Sequence, residues 1–200
     1  DQAQRYRDAG LWSGQTLWDM MAASIARTPA KTAVVAGDTR LSYRDLDEQT
    51  AVLGAALLAH GLRPLDRVVL HLPNTVEFVL YYLALVRIGA IPVMALRAHR
   101  ETEIRHFTRA SQAVAYIAPD AIRGFDYRVL GDQLKQEFAH LKTIVIVGEP
   151  GSGQLGHARL MAEGAAIQDR AERLAAPRID PEDVGTILLS GGTTSLPKLI

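Results

Sequence analysis

Residues Ser190 to Lys198 read SGGTTSLPK and follow the apolar run GTILL. These types in this order suit the holding of a polyphosphate. Gly191 and Gly192 let the backbone approach a ligand closely and turn its N–H groups toward an anion. Ser190, Thr193 and Thr194 add hydroxyl donors for phosphate oxygens, and Lys198 adds a mobile positive charge that can reach a terminal phosphate. Together they point to a nucleotide-triphosphate loop. It is not the Walker pattern, which needs Gly-Lys-Ser/Thr, because Pro197 precedes Lys198 and Leu199 follows it. A surface turn of small polar residues has the same composition, and composition alone does not separate the two.

Other chemistry-bearing residues give weaker signals. His99, Arg100, Arg105, His106 and Arg109 form a basic cluster that could flank a site or meet an acidic partner. They interleave with Glu101 and Glu103, which favours a solvated helix face. The six histidines (His60, His71, His99, His106, His140 and His157) show no HxxxH spacing and no companion carboxylates, so no metal site is expected. The absence of cysteine excludes a disulfide framework, a thiolate zinc site and a cysteine nucleophile. Ser190 lacks the G-x-S-x-G elbow of a hydrolase nucleophile. Asp180 and Asp183 read as turn and cap residues. Tyr81, Tyr82, Trp12 and Trp18 occupy apolar stripes and are expected to pack.

The loop needs a scaffold, and the pattern upstream supplies one. Thr16 is an N-cap candidate ahead of Leu17, Trp18, Met20, Met21 and Ile25, a helical stripe that Pro29 ends. Strands are expected at 31–36 and 40–43 around a Gly37-Asp38 turn, and Ser42 caps a long helix that Gly61 stops. A strand at 67–72, a helix from about Thr75 to a Gly89 cap, and a short buried strand from Pro92 follow. Then come a helix at 101–110, a strand at 113–118, a mostly helical segment at 129–140 and the buried strand TIVIV at 143–147. Residues 148–156 read as a turn-rich loop, 168–183 as charged surface, and 184–189 as the last strand. Buried β-branched runs alternating with helices indicate an α/β fold with a largely parallel sheet flanked by helices.

Bulk properties agree. The chain has 200 residues, 48% hydrophobic and 22% charged, with 22 basic and 22 acidic side chains and zero net charge. That balance argues against disorder and gives no pull toward nucleic acid or an anionic membrane. The stretch from Phe78 to Leu96 carries only Arg87 and approaches the ~20 apolar residues that cross a bilayer. Gly89 and Pro92 break it into a helix and a strand instead, so no membrane span is expected. Residues 1–10 lack a secretory layout. The chain stops just after the Gly/Thr-rich run, and we expect it to be the first part of a longer protein.

The segment LSGGTTSLPKLI resembles the phosphate-binding loop of the adenylate-forming superfamily, which includes acyl-CoA synthetases, luciferases and peptide-synthetase adenylation domains. LSYRDLDEQTAVLGAALLAHGL and VVLHLPNTVEFVLYYLALVRIGAIPV resemble its first and second motifs, in the family order. RYRDAGLW, PVMALRAHRETEI, SGGTT and PKLI look most like the stand-alone aryl-acid AMP ligases of siderophore biosynthesis. The resemblance spans essentially the whole chain. It implies that residues 1–200 are the N-terminal part of the large adenylation domain of a cytoplasmic enzyme, with the small C-terminal domain absent. It implies ATP- and Mg²⁺-dependent activation of salicylate or 2,3-dihydroxybenzoate to aryl-AMP, then transfer to the phosphopantetheine thiol of an aryl carrier protein. Ser190, Gly191, Gly192, Thr193, Thr194 and Lys198 would cradle the β and γ phosphates. The family's catalytic lysine, aryl pocket and magnesium-binding glutamate would lie beyond Ile200, so this segment alone should not make aryl-AMP.

Two departures stand out. Ser195 replaces a usual Gly, at a cost of about 1 kcal/mol if positive φ is required there, and Arg97 stands where Pro is more frequent. The alternatives are an acyl-CoA or amino-acid adenylating relative, or a non-catalytic degenerate or truncated module.

Overall fold

A computed structural model describes residues 2–177, 179–190 and 197–200. The chain opens with α1 (Gln2–Asp8) and α2 (Leu17–Arg27). Thr16 caps α2 as its sequence implies: its hydroxyl accepts from Asp19 N at 3.1 Å, while the Asp19 carboxylate accepts from Thr16 N at 2.8 Å. The hairpin of β1 (Thr32–Ala36) and β2 (Thr39–Ser42) turns at Gly37, whose φ of 57° suits glycine. Ser42 and Asp45 repeat the reciprocal cap on α3 (Tyr43–Ala59).

Three strands then alternate with two helices: β3 (Arg67–Leu70), α4 (Val76–Arg87), β4 (Ile91–Met94), α5 (Glu101–Ser111) and β5 (Ala115–Pro119). A small hairpin, β6 (Ala121–Ile122) and β7 (Phe125–Asp126), leads into α6 (Tyr127–Glu137) and β8 (Thr143–Val147). β9 (Leu155–Gly156), α7 (His157–Ala166) and α8 (Arg170–Ala175) complete the regular elements. The five-stranded sheet runs β4-β3-β5-β8-β9, and every pairing is parallel.

Alternation along the strands divides the core. Val68, Leu70, Ala115, Ile117 and Val145 pack with α3, α4 and α7, while Val69, Val93, Tyr116, Ile144 and Ile146 pack with α5 and α6. Both faces of the sheet are therefore covered, as parallel sheets require. Where α7 crosses α3, a Cβ on Gly164 would land on the Val52 carbonyl, so glycine permits the close approach. Arg87, the one charge in the apolar stretch, is absorbed by α3: it donates to the Asp47 carbonyl at 2.9 Å and the Asp47 carboxylate at 2.7 Å. Its guanidinium also lies 4.3 Å from the Trp18 ring centroid. Among the described residues no helix is long and apolar enough to cross a membrane.

Four expectations change. Residues 184–189 do not form a regular strand; Ile187 makes a single parallel bridge to Val93 on the outer edge of β4. The turn-rich 148–156 run ends in β9, and α7 and α8 occupy a region without a strong helical signal. The basic cluster is not simply solvated. Arg105 and Arg109 both pair with Glu137 on α6, and Arg105 also donates to Gln133 at 2.7 Å. Trp12 does not pack inside: it is exposed, with the Arg7 guanidinium 4.9 Å over its ring.

Candidate functional site

Parallel α/β sheets present ligand sites beyond the carboxyl ends of their strands. The candidate loop leaves the sheet there. Ile187 N donates to Pro92 O at 2.9 Å, and Met94 N donates to Ile187 O at 3.0 Å, so this segment runs alongside β4 in the same direction. The chain then folds back on itself. Leu188 and Ile200 exchange backbone hydrogen bonds at 2.9 and 2.8 Å, and Ser190 N donates to Lys198 O at 2.9 Å. The Ser190 hydroxyl accepts from Lys198 N at 3.0 Å. Ser190 and Lys198 thus face each other across the stem of a loop. Lys198 is exposed, and no carboxylate among the described residues pairs with it. Gly191, Gly192, Thr193, Thr194 and Ser195 lie outside the described residues.

Two neighbouring elements border the stem. α5 brings the His106 Nε2 to 3.0 Å from the Pro197 carbonyl. Residues 95–100, which contain Arg97, form a tight turn: His99 Nδ1 accepts from Leu96 N at 3.0 Å, and the Arg100 guanidinium donates to the Arg97 and His99 carbonyls at 2.7 and 2.9 Å. Burial holds the His99 imidazole below its ordinary range, against the pull of Glu103. That agrees with a neutral ring whose Nδ1 is free to accept. Between this turn and Asn74, Phe78 and Met94 lies a groove of about 490 Å³.

Beneath the turn, His71 is buried at the carboxyl end of β3. Its Nδ1 lies 2.9 Å from the Tyr116 hydroxyl, while its Nε2 and the nearby Tyr127 hydroxyl have no hydrogen-bond partner among the described residues. Burial, with His99 and Arg100 adding to it and the Leu96 carbonyl opposing, lowers its pKa to about 4. This buried pair escaped sequence reasoning, since a lone histidine in an apolar run carries no signal of its partner. His106 was visible only as one member of the basic cluster.

A second cavity, of about 270 Å³, sits at the opposite end of β4 between Leu17, Gly89 and Val184. Its acidic residues are already engaged: Asp180 and Asp183 accept from nearby backbone N–H groups and close a turn, as their spacing implies. Among the described residues no three His, Asp or Glu side chains gather to hold a metal ion. The chemistry that remains is therefore that of the stem: hydroxyl and ammonium donors at the carboxyl edge of a parallel sheet, suited to an anion.

Comparison with known proteins agrees with that geometry. The chain is 39% identical over 199 residues to the 2,3-dihydroxybenzoate-AMP ligase of Bacillus subtilis, covering 99% of this chain and 35% of that protein. It is 40% identical over 205 residues to a salicyl-AMP ligase / salicyl-S-ArCP synthetase of Mycobacterium tuberculosis, again covering 35% of the relative. The apo structure of MbtA from Mycobacterium smegmatis superposes with a TM-score of 0.80 at 34% identity, over 99% of this chain and 35% of that one. The chain thus spans about a third of the length of these relatives, and its sheet and helices match the corresponding part of the MbtA fold. The model of the family described as AMP-binding enzyme matches residues 21–200, from the middle of α2 through the loop stem, and the chain belongs to that family.

Proposed function

We propose that this chain is the N-terminal part of the large domain of an aryl-acid AMP ligase of siderophore biosynthesis, working in the cytoplasm. The observation that carries the reading is Lys198, exposed and without a carboxylate partner among the described residues, at a loop stem on the carboxyl edge of the sheet. The identity of about 40% to two aryl-acid AMP ligases over the whole chain supports it. In the first step a carboxylate oxygen of salicylate or 2,3-dihydroxybenzoate attacks the α-phosphorus of ATP. An acyl–phosphate bond forms, the bond between the α-phosphorus and its bridging oxygen breaks, and pyrophosphate leaves. In the second, the phosphopantetheine thiol of an aryl carrier protein takes the acyl group and AMP leaves.

A carboxylate is already a nucleophile, so the first step needs positioning of two anions and neutralisation of charge moving onto pyrophosphate. Ser190, Gly191, Gly192, Thr193 and Thr194 hold the β and γ phosphates through hydroxyl and backbone N–H donors, and Lys198 supplies the compensating positive charge. When bound with the nucleotide, Mg²⁺ would neutralise part of the phosphate charge, and these loop residues would hold the nucleotide itself. ATP–pyrophosphate exchange by the intact protein tests the proposal, using a panel of aryl, fatty and amino acids. Exchange dependent on salicylate or 2,3-dihydroxybenzoate is the expected result. Exchange with a fatty or amino acid alone would transfer the protein to another branch of the family, and none with any acid would indicate a non-catalytic module.

A further inference from the structure

The structure assigns His106 a role in positioning Lys198, an inference that rests on the proposed ATP-binding reading of the loop. One peptide unit carries the argument, the one that joins Pro197 to Lys198. Its N–H is held from one side by the Ser190 hydroxyl at 3.0 Å, and its carbonyl is held from the other by His106 Nε2 at 3.0 Å. A carbonyl only accepts, so Nε2 must carry the proton, which both the neutral Nε2–H tautomer and the imidazolium provide. Proline has no N–H of its own, so this carbonyl is the only polar group through which residue 197 can be anchored.

The anchor is itself rigid. His106 packs edge-on against Phe107, with ring centroids 5.9 Å apart, and Phe107 is fully buried. α5 is tied to α6 through Arg105 and Arg109 on Glu137. With both faces of the Pro197–Lys198 peptide pinned, the direction in which the Lys198 side chain leaves the backbone is set before any ligand arrives. His106 does not touch the phosphates in this account; it acts through the peptide that carries the lysine, and prepays part of the ordering that ATP binding requires.

Two substitutions in the intact protein separate this role from packing. His106→Phe keeps an aromatic ring against Phe107 but removes the donor, whereas His106→Gln removes the ring and keeps an amide donor of similar reach. The first readout is hydrogen exchange at the Lys198 amide, measured without substrate. His106→Phe should speed it about fivefold, the equivalent of one ordinary hydrogen bond, with His106→Gln near wild type. The second is steady-state exchange kinetics, where His106→Phe should raise KM for MgATP by a similar factor and leave KM for the acid unmoved.

Unchanged Lys198 exchange in folded His106→Phe, or equal impairment by both variants, overturns the assignment. If the wild-type protein activates no acid, the functional reading fails instead, and the amide exchange still decides the role of His106.

Discussion

His71 should make the stability of this protein fall as the pH drops from 7 toward 4. The buried imidazole shares a hydrogen bond with Tyr116 and is held neutral, with its pKa lowered from 6.5 to about 4. The unfolded chain binds a proton at this residue below pH 6.5, while the folded chain refuses it until about pH 4. Stability contributed by the neutral state is therefore complete above pH 6.5 and drains away as pH falls toward 4. The lowering from 6.5 to about 4 corresponds to about 3 kcal/mol in full, and about 2 kcal/mol of it is lost between pH 7 and pH 5. The residue is only 1% exposed, so solvent screening removes little of this.

His71→Phe abolishes the titration. At pH 7 the variant should be less stable, by about 1–3 kcal/mol, because the Tyr116 hydroxyl loses its partner in a dry core. At pH 5 the gap between wild type and variant should shrink by about 2 kcal/mol, since only the wild type has the proton penalty. Urea unfolding of both proteins at the two pH values measures this directly. His99 and His157 also have pKa values lowered by burial and add slope of the same sign, but they do so in both proteins and cancel in the comparison. Parallel stability curves for the two proteins between pH 7 and pH 5 would mean instead that His71 is already protonated or reached by water.

Gly164→Ala should destabilise the protein by about 1–3 kcal/mol, because the new methyl meets the Val52 carbonyl and must push α7 off α3; thermal unfolding reads the change. Arg87→Met keeps most of the stem but strips the donors from Asp47 and Thr50, and should cost about 2–4 kcal/mol in urea unfolding. Lys198→Ala should leave the melting temperature within a degree or two while lowering kcat/KM for ATP at least tenfold in pyrophosphate exchange, since the side chain is exposed and has no structural partner among the described residues.

Much of the scaffold was legible because its signals are local. Thr16 and Ser42 stand three residues before Asp19 and Asp45, and both capping boxes form. TIVIV became a central strand, and the apolar stretch broke at Gly89 and Pro92 into α4 and β4. What was missed depends on distant partners. β9 is two residues long and exists only because Val145 and Ile146 lie beside it, and α7 starts at Gly156 with no side-chain cap. Residues 184–189 have strand character, yet at the outer edge of β4 they make a single bridge. At the site, the residue types of the loop marked it as a candidate, while the contact between His106 and Pro197 spans 91 positions and leaves no mark in the spacing.

Under the proposed function, the intact protein joins an aromatic acid to AMP. Incubation with ATP, Mg²⁺ and an equimolar mixture of salicylate, 2,3-dihydroxybenzoate, fatty acids and amino acids, followed by mass spectrometry of the adenylates, tests it most directly. Salicyl-AMP or 2,3-dihydroxybenzoyl-AMP should be the dominant product. A fatty-acyl or aminoacyl adenylate in its place, or no adenylate at all, would contradict it.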